Sequence, residues 1–423
     1  LETGHTETSE FIFPPGTRYQ CVGCGYCCRQ RWGVEVEKEC LDNLPDDLKR
    51  SVGPPQKQDE KTNIGGVIVP GESHAGCPLL DTDNLCVIHK RLGYDAKPLV
   101  CREFPFRFVE TPRGVIVDVS YVCNEVLHQR GNDIEQYRPE LEKLYAKTAR
   151  KVSVGDKVLL KSRTSITYDA YLLIEQTLLR ILSDQRHTVE DRLVAGNVFL
   201  YSLTKNIYDD EKIVLSQEPI QKRLEKFAPK HISRLYEIAK KSEKMSSRHR
   251  QQVFVVTFLT FASSASEKRG KVNVLLRTWV NNIKLTFNVG KIRIPVLSAP
   301  VPIRRLCDME FDPEDRDIND LAERYMTHCI FRKTLVSEYG LFRGYNVLLL
   351  IYGVTKWLSK VFALQAGRDK VRPADFADAI QLVERQYVRH NEHLALLRVE
   401  SRAMRFVDRL FDDLGFAPII VKS

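Results

Sequence analysis

The sequence predicts a mainly α protein, with a small α+β, cysteine-rich, metal-binding module at the N-terminal end and a large C-terminal helical domain. Three observations carry this reading. Nine of the 11 cysteines fall before residue 124. The same stretch is rich in Gly and Pro, with short extended runs between turn residues. After about residue 131, apolar residues recur at three- and four-residue spacing, the mark of amphipathic helices.

Residues 1–18 read as a flexible lead-in ending in "FPPGT", residues 19–130 as the cysteine module, and residues 131–423 as the helical domain. Within the module, "EKECLDNLPDDLKR" (37–50) predicts a short helix interrupted by Pro45, which cannot donate a helical hydrogen bond. "CPLLDTDNLCVIH" (77–89) predicts two short strands around an Asp-Thr-Asp-Asn turn. "REFPFRFVETPRGVIVDVSYVC" (102–123) predicts a hairpin turned at Thr-Pro-Arg-Gly, with β-branched residues on both sides. Helices are expected in "IEQYRPELEKLYAKTARKV", "DAYLLIEQTLLRILSD", "TVEDRLVAGNVFLYSLTKNIYDD", "IQKRLEKFAPKHISRLYEIAKKSEK" and "RHRQQVFVVTFLTFASSA", and again over 317–337, 341–366 and 373–414. Thr188 and Arg372-Pro373 mark two helix starts. One further hairpin is predicted near 284–297, "KLTFNVGKIRIPVL", around an Asn-Val-Gly turn.

Composition and charge narrow the function classes. With 43% hydrophobic and 28% charged residues, the chain is of ordinary globular type. No apolar run reaches the roughly 18–20 residues of a membrane span, so Val253–Ala265 and Val347–Leu358 read as buried helices. Leu1–Glu10 is polar and acidic, without the basic and apolar regions of a secretory leader, and a cytoplasmic location is expected. Residues 1–130 hold 15 Lys/Arg against 19 Asp/Glu, a net of −4, and residues 131–423 hold 49 against 36, a net of +13. The basic charges are dispersed and no nucleic-acid motif accompanies them, so a solvated helical surface is preferred to nucleic-acid binding.

The cysteines point to metal. Cys21, Cys24, Cys27 and Cys28 sit within eight residues, "CVGCGYCC", and four unliganded thiols so close together have no packing rationale. A zinc or iron–sulfur site needs about four thiolates. Gly23 and Gly25 allow the backbone dihedrals and exposed N–H groups that wrapping a metal demands. On a helix, Cys21, Cys24 and Cys28 would share a face while Cys27 pointed elsewhere. Cys77, Cys86, Cys101 and Cys123 stand beside turn or strand-end signals and complete a set of eight candidate ligands, enough for one site with spares or for two sites. Cys40, Cys307 and Cys329 read as free core cysteines, and His74 and His89 as surface or packed histidines. Neither a Cys-x3-Cys-x2-Cys loop, nor a Walker A sequence, nor a Gly-x-Gly-x-x-Gly after a strand occurs, so any nucleotide cofactor needs a different kind of site.

Three segments together carry a family resemblance: "CVGCGYCCRQRWGVEVEKE", "GCPLLDTDNLCVIHKRLGYDAKPLVCREFPFRF" and "VSYVCNEV". They resemble the YkgJ-type cysteine-cluster family of zinc- or iron-chelating proteins, and most of all its flagellin lysine-N-methylase (FliB-like) branch. The features that match are Cys27–Cys28 with Trp32, Cys77-Pro78, Cys86 to Gly93, Cys101 to Pro105, and Cys123 with Glu125. The chain departs from the branch in the tight spacing of its first cysteines and in Phe106, where an Arg usually follows the Pro. The resemblance implies a [4Fe-4S] cluster on the cysteines, with zinc as the alternative, and methyl transfer from S-adenosylmethionine to lysines of a protein substrate such as flagellin. A lysine must lose its proton to be methylated, and Tyr26, Tyr94, Asp118, Tyr121 and Glu125 lie near the cysteines in sequence and could accept it. The alternative is a non-enzymatic zinc or iron–sulfur protein with a structural, redox-sensing or metal-carrier role.

Overall fold

The computed structural model describes residues 10–30, 32–55, 63–70, 76–148, 152–205, 213–227, 229–245, 247–264, 271–294, 297, 299–389 and 409–423. The chain divides into two compact units, Leu1–Ser153 and Val154–Ser423. The cysteine-rich unit thus extends about 20 residues past the expected boundary at residue 130.

Unit 1 runs β1 (Phe11–Ile12), β2 (Arg18–Tyr19), β3 (Val34–Glu37), α1 (Lys38–Asn43), α2 (Asp46–Lys49), β4 (Ile64–Ile68), α3 (Val87–Leu92), α4 (Leu99–Glu103), β5 (Phe106–Thr111), β6 (Gly114–Val119), α5 (Asn124–Leu127), β7 (Asn132–Asp133), α6 (Arg138–Lys147) and β8 (Val152–Ser153). β5 and β6 form the expected hairpin, in register from Phe106↔Val119 to Thr111↔Gly114. Thr111 Oγ1 closes its turn by donating to the Gly114 carbonyl at 2.8 Å. Parallel flanking strands complete a four-stranded sheet of order β1-β6-β5-β8. Part of the expected lead-in therefore belongs to the fold: Phe11 pairs its strand with Val115 and sets its ring edge-on to Phe108 and Tyr145. Burying such a ring offsets the entropy of ordering the short strand that carries it.

A second layer holds the cysteine loops. β3 and β4 pair antiparallel, and α1 and α2 are split at Leu44-Pro45, as Pro45 dictates. Val34, Val36, Leu44, Leu48, Ile68, Leu79 and Ile88 make one buried cluster, against which Trp32, Cys40, Cys77, Cys86 and Cys101 pack. The second strand expected at 77–89 is instead a helix. Only a single bridge, Leu80↔Cys86, precedes α3, which starts directly after Cys86.

Unit 2 begins with β9 (Lys157–Lys161) and β10 (Thr164–Thr167), then α7 (Tyr168–Leu182), α8 (Val189–Thr204), β11 (Val214–Leu215), α9 (Gln217–Leu224), α10 (Pro229–Lys241), α11 (Arg248–Ser264) and α12 (Lys271–Thr286). It continues through β12 (Lys291–Ile292), β13 (Val301–Pro302), α13 (Ile303–Cys307), α14 (Arg316–Phe331), α15 (Thr334–Tyr339), α16 (Leu341–Gln365), α17 (Pro373–Val383) and α18 (Phe416–Lys422). The small sheet β11-β10-β9 was not expected. The helix starts at Thr188 and at Arg372-Pro373 are where the sequence puts them, and Thr188 Oγ1 caps α8 by accepting from Asp191 N at 3.2 Å.

The predicted hairpin at 284–297 does not form. α12 runs on through Thr286, and the strand pair is Lys291–Ile292 with Val301–Pro302. The buried face of that helix is Thr278, Asn281 and Leu285, and two polar residues hide its helical spacing from a hydrophobicity reading. The helix expected over 317–337 breaks at Lys333, whose φ is +60°. Residues 384–389 continue α17 as a wider turn, and residues 390–408 of the helix expected over 373–414 lie outside the described residues.

α16 packs against α8, α11, α15, α17 and α18 and is apolar nearly all round, as a central core helix should be. By length and composition it is also long and apolar enough to cross a membrane, which the sequence reading missed; 89% of its most apolar window is buried within the unit.

Charges are buried at the α14–α15 break. Arg332 reaches both carboxylate oxygens of Glu384, at 3.1 and 3.0 Å, and Tyr325 donates to the same carboxylate at 2.9 Å. Arg332 and Glu384 are 1% and 0% exposed, so deleting one strands the other in an apolar interior. The Arg332→Met variant should lose roughly 3–5 kcal/mol of stability, read from denaturant unfolding followed by helical circular dichroism. A loss below about 1 kcal/mol would show that the pair is not a structural anchor.

Candidate metal centre

The 20–28 loop leaves β2 as a non-helical curl that ends in one 3₁₀ turn, Cys27–Arg29. Gly23 and Gly25 have φ of 66° and 68°, in the left-handed region open to glycine. The loop also lies close to the 80–85 turn: a Cβ at Gly23 would be 2.8 Å from Leu85 Cδ2, and one at Gly25 would be 2.9 Å from Asn84 Cβ. The helical arrangement of Cys21, Cys24 and Cys28 on one face is therefore not the one adopted.

Backbone contacts fasten the second cysteine segment to the first. Cys77 N–H donates to the Cys28 carbonyl at 2.8 Å, and a Cβ at Gly76 would be only 2.7 Å from Arg29 Cα. The 81–85 turn is built on Asp81, whose Oδ1 accepts from Asp83 N and Leu85 N, both at 2.9 Å. Lys90 Nζ neutralises the other oxygen at 2.9 Å, and Arg29 donates to Asn84 Oδ1 across the loops. Pro98 opens α4 and brings Cys101 to the same apolar cluster as Cys77 and Cys86. Cys123 begins α5, which packs against β2 just before Cys21.

The thiol environments differ. Cys27 and Cys28 have their sulfurs 3.9 Å apart. Hydrogen bonding between them, with burial adding, pushes the Cys27 thiol up; the same bond, helped by Lys97 and Arg29, lowers Cys28 to about 7. Burial pushes Cys77 up to about 11, with Cys28 and Cys86 adding to it. Cys123 also rises to about 11 through burial, with Cys21 and Cys24 adding. Cys101 is raised by burial, and its thiol senses Cys28, Cys77 and Cys86. Tyr19, Arg29 and Lys97 join the site although the sequence reading did not single them out. Their signal was position: two residues before Cys21, next to Cys28 and four before Cys101.

The remaining expected residues take clear places. Cys40 donates to the Ala96 carbonyl at 3.4 Å, as a core cysteine, while Cys307 and Cys329 lie in unit 2. His89 is exposed and edge-on to Tyr94, and His74 lies outside the described residues. Tyr94 donates its hydroxyl to the Arg102 carbonyl at 2.9 Å. Asp118 is buried opposite Arg107 in the hairpin register, and Glu125 is buried with Arg130 Nη1 at 3.8 Å. Tyr121 is buried beyond β6, and the Tyr26 carbonyl accepts from Gln30 Nε2 at 2.9 Å.

As donors, eight thiols suit a zinc ion or an iron–sulfur cluster. Among the described residues, no three Cys, His, Asp or Glu side chains already stand within ligating reach of one ion. Cys21 and Cys24 are exposed.

Comparison with known proteins follows this donor set. Residues 20–125 match the family model CxxCxxCC, described as a "Putative zinc- or iron-chelating domain". The CxxCxxCC match covers about a quarter of the chain and supports metal binding by this module. An uncharacterized protein of Methanocaldococcus jannaschii is 35% identical over 95 residues, which are 22% of this chain and 30% of that protein. The chain thus matches less than a third of that relative's length. No solved structure matches the chain.

The two loop glycines give the CxxCxxCC module a direct test. Gly25→Ala places a Cβ against Asn84 and Leu80 at a left-handed φ, whereas Gly16→Ala has a φ of 66° but open space around it. Gly25→Ala should weaken zinc binding by roughly tenfold in a competition titration, and Gly16→Ala should leave it unchanged. Equal affinities for Gly25→Ala and the parent chain would show that the loop glycines do not shape the site.

Proposed function

We propose that the CxxCxxCC module holds a [4Fe-4S] cluster and that the chain is a protein lysine N-methylase using S-adenosylmethionine, with a flagellin-like substrate. The observation that carries the metal part is the Cys77 N–H to Cys28 carbonyl bond, which fixes two cysteine-bearing loops side by side. The methylase part rests on the resemblance of "CVGCGYCCRQRW", "CVIHKRLG" and "CREFP" to the FliB-like branch. A bound cluster would hold the cysteine loops together and supply redox chemistry. The chain's own part is proton handling: a lysine, ordinarily charged up to about 10.4, has to present a neutral amine. Glu125 and Asp118 are the buried carboxylates on the elements flanking Cys123, and either could take that proton.

A cleft of about 380 Å³ in unit 2 is lined by Lys244, Met245, Ser247, Arg250, Asp413, Gly415 and Ile419, a set without an aromatic face for adenine. A second reading, a non-enzymatic zinc or iron–sulfur protein, is favoured by one feature: the candidate donors are all thiols, and sites closed by four protein ligands are structural rather than catalytic. Reduced thiols in this number also suit a cytoplasmic location, which we propose on that ground.

Anaerobic purification with metal analysis and absorption spectroscopy should give a brown, iron- and sulfide-containing protein. A colourless, zinc-loaded protein would sink the cluster. Incubation of the iron-loaded chain with methyl-labelled S-adenosylmethionine and flagellin should label lysine. Iron-loaded protein without label transfer or cofactor binding would leave the carrier reading.

A further inference from the structure

Two sets of contacts reach the segments beside Cys27 and Cys28. On one side stand the end of β2 and the start of α5. Arg18 N donates to Gln129 Oε1 at 3.0 Å and Arg18 Nε to the Gly131 carbonyl at 2.7 Å, so the chain just before Cys21 is tied to the segment that follows Cys123. On the other side, Cys77 is bonded through its backbone to Cys28, Val87 N to the Leu79 carbonyl at 2.9 Å, and Leu80 bridges Cys86. Cys77, Cys86 and Cys101 all sit on the apolar cluster that includes Leu79 and Ile88.

We propose that the module builds two separate four-thiolate sites, Cys21, Cys24, Cys27 and Cys123 in one and Cys28, Cys77, Cys86 and Cys101 in the other, each taking one thiolate-bound centre, a zinc ion or an iron–sulfur cluster. The proposal rests on the chelating role argued above and divides it. Cys27 and Cys28 lie in a 3₁₀ turn, where successive side chains project about 120° apart, so neighbours in sequence serve different sides. Cys27 and Cys28 approach across the divide at 3.9 Å, and the backbone at Gly23 and Gly25 packs on the 80–85 turn, so the two sites are neighbours.

Cobalt(II) titration of the reduced, metal-free full chain tests the division, because its absorption bands count bound ions and their thiolate ligands. The parent chain should take two equivalents, both with four-thiolate spectra. Cys123→Ser and Cys101→Ser should each remove the four-thiolate signal of one equivalent, about half the total. Cys123→Ser with Cys24→Ser should lose no more than Cys123→Ser alone, while Cys123→Ser with Cys101→Ser should lose both. Cys40→Ser should keep both. Helical circular dichroism checks that each variant remains folded, and the comparison of double variants holds even if one single variant binds poorly. A parent chain that takes one equivalent, abolished alike by Cys123→Ser and Cys101→Ser, would overturn the two-site division while leaving chelation intact. Loss of signal on one side alone would also overturn it. A parent chain that binds no cobalt, zinc or iron would remove the chelating role itself.

Discussion

The N-terminal unit depends on one backbone hydrogen bond, from Cys77 N–H to the Cys28 carbonyl. It brings together two segments almost 50 residues apart, and the rest of the site follows from what that close approach demands. Glycine at 76 is needed because any Cβ there would strike the Arg29 backbone. Gly23 and Gly25 are needed because the first loop passes against the 80–85 turn. Asp81 is needed because that turn has to hold its shape without a strand ladder on either side. Thiols cannot provide this organisation by themselves, since a neutral thiol is only a weak hydrogen-bonding group. The loops are shaped by glycines, an Asp-based turn and an apolar floor, which leaves the sulfurs free to serve as ligands.

That floor explains why so small a unit can carry so many polar loops. Val34, Val36, Ile68, Leu79 and Ile88 are nearly or fully buried, each stabilising by about 1.5–3 kcal/mol relative to exposure. The cysteines that pack against it are partly buried. Burial accordingly raises Cys77 and Cys101, while Cys28 is held lower by its hydrogen bond with Cys27, helped by Lys97 and Arg29. A metal entering such a site displaces protons from thiols that resist ionisation, so its binding should tighten as pH rises.

Much of this was legible in the sequence, for reasons that differ by element. Pro45 had to split a helix, Thr-Pro-Arg-Gly had to turn a hairpin, and Thr188 had to cap a helix, because each acts through its own local backbone. Gly23 and Gly25 were readable for the same reason. What escaped was set by distant partners. Phe11 looked like part of a loose tail until Phe108 and Tyr145 covered its ring. Thr278 and Asn281 concealed a buried helix face, and Arg332 and Lys333 gave no sign that they would turn inward to Glu384 and Glu175. The geometry of the cysteines was hidden too: spacing shows that Cys27 and Cys28 are adjacent, but only the structure shows the 3₁₀ turn that carries them and the 3.9 Å approach of their sulfurs.

The adjacency of those two residues has an energetic consequence for the pair of proposed sites. At an effective dielectric near 20, two thiolates about 4 Å apart repel by about 4 kcal/mol, more than a marginally stable module can ignore. Metal at one site withdraws charge from its own sulfur and so relieves its neighbour across the peptide bond. Filling the Cys27 site would thereby favour ionisation of Cys28, and the reverse holds by reciprocity. Sequestering the thiolates in this way also uses all eight as ligands, which leaves no protein-free coordination position at either centre. Methyl transfer by this chain would then place its chemistry at side chains beside the centres, such as Glu125 next to Cys123, with the metals holding the loops that present them.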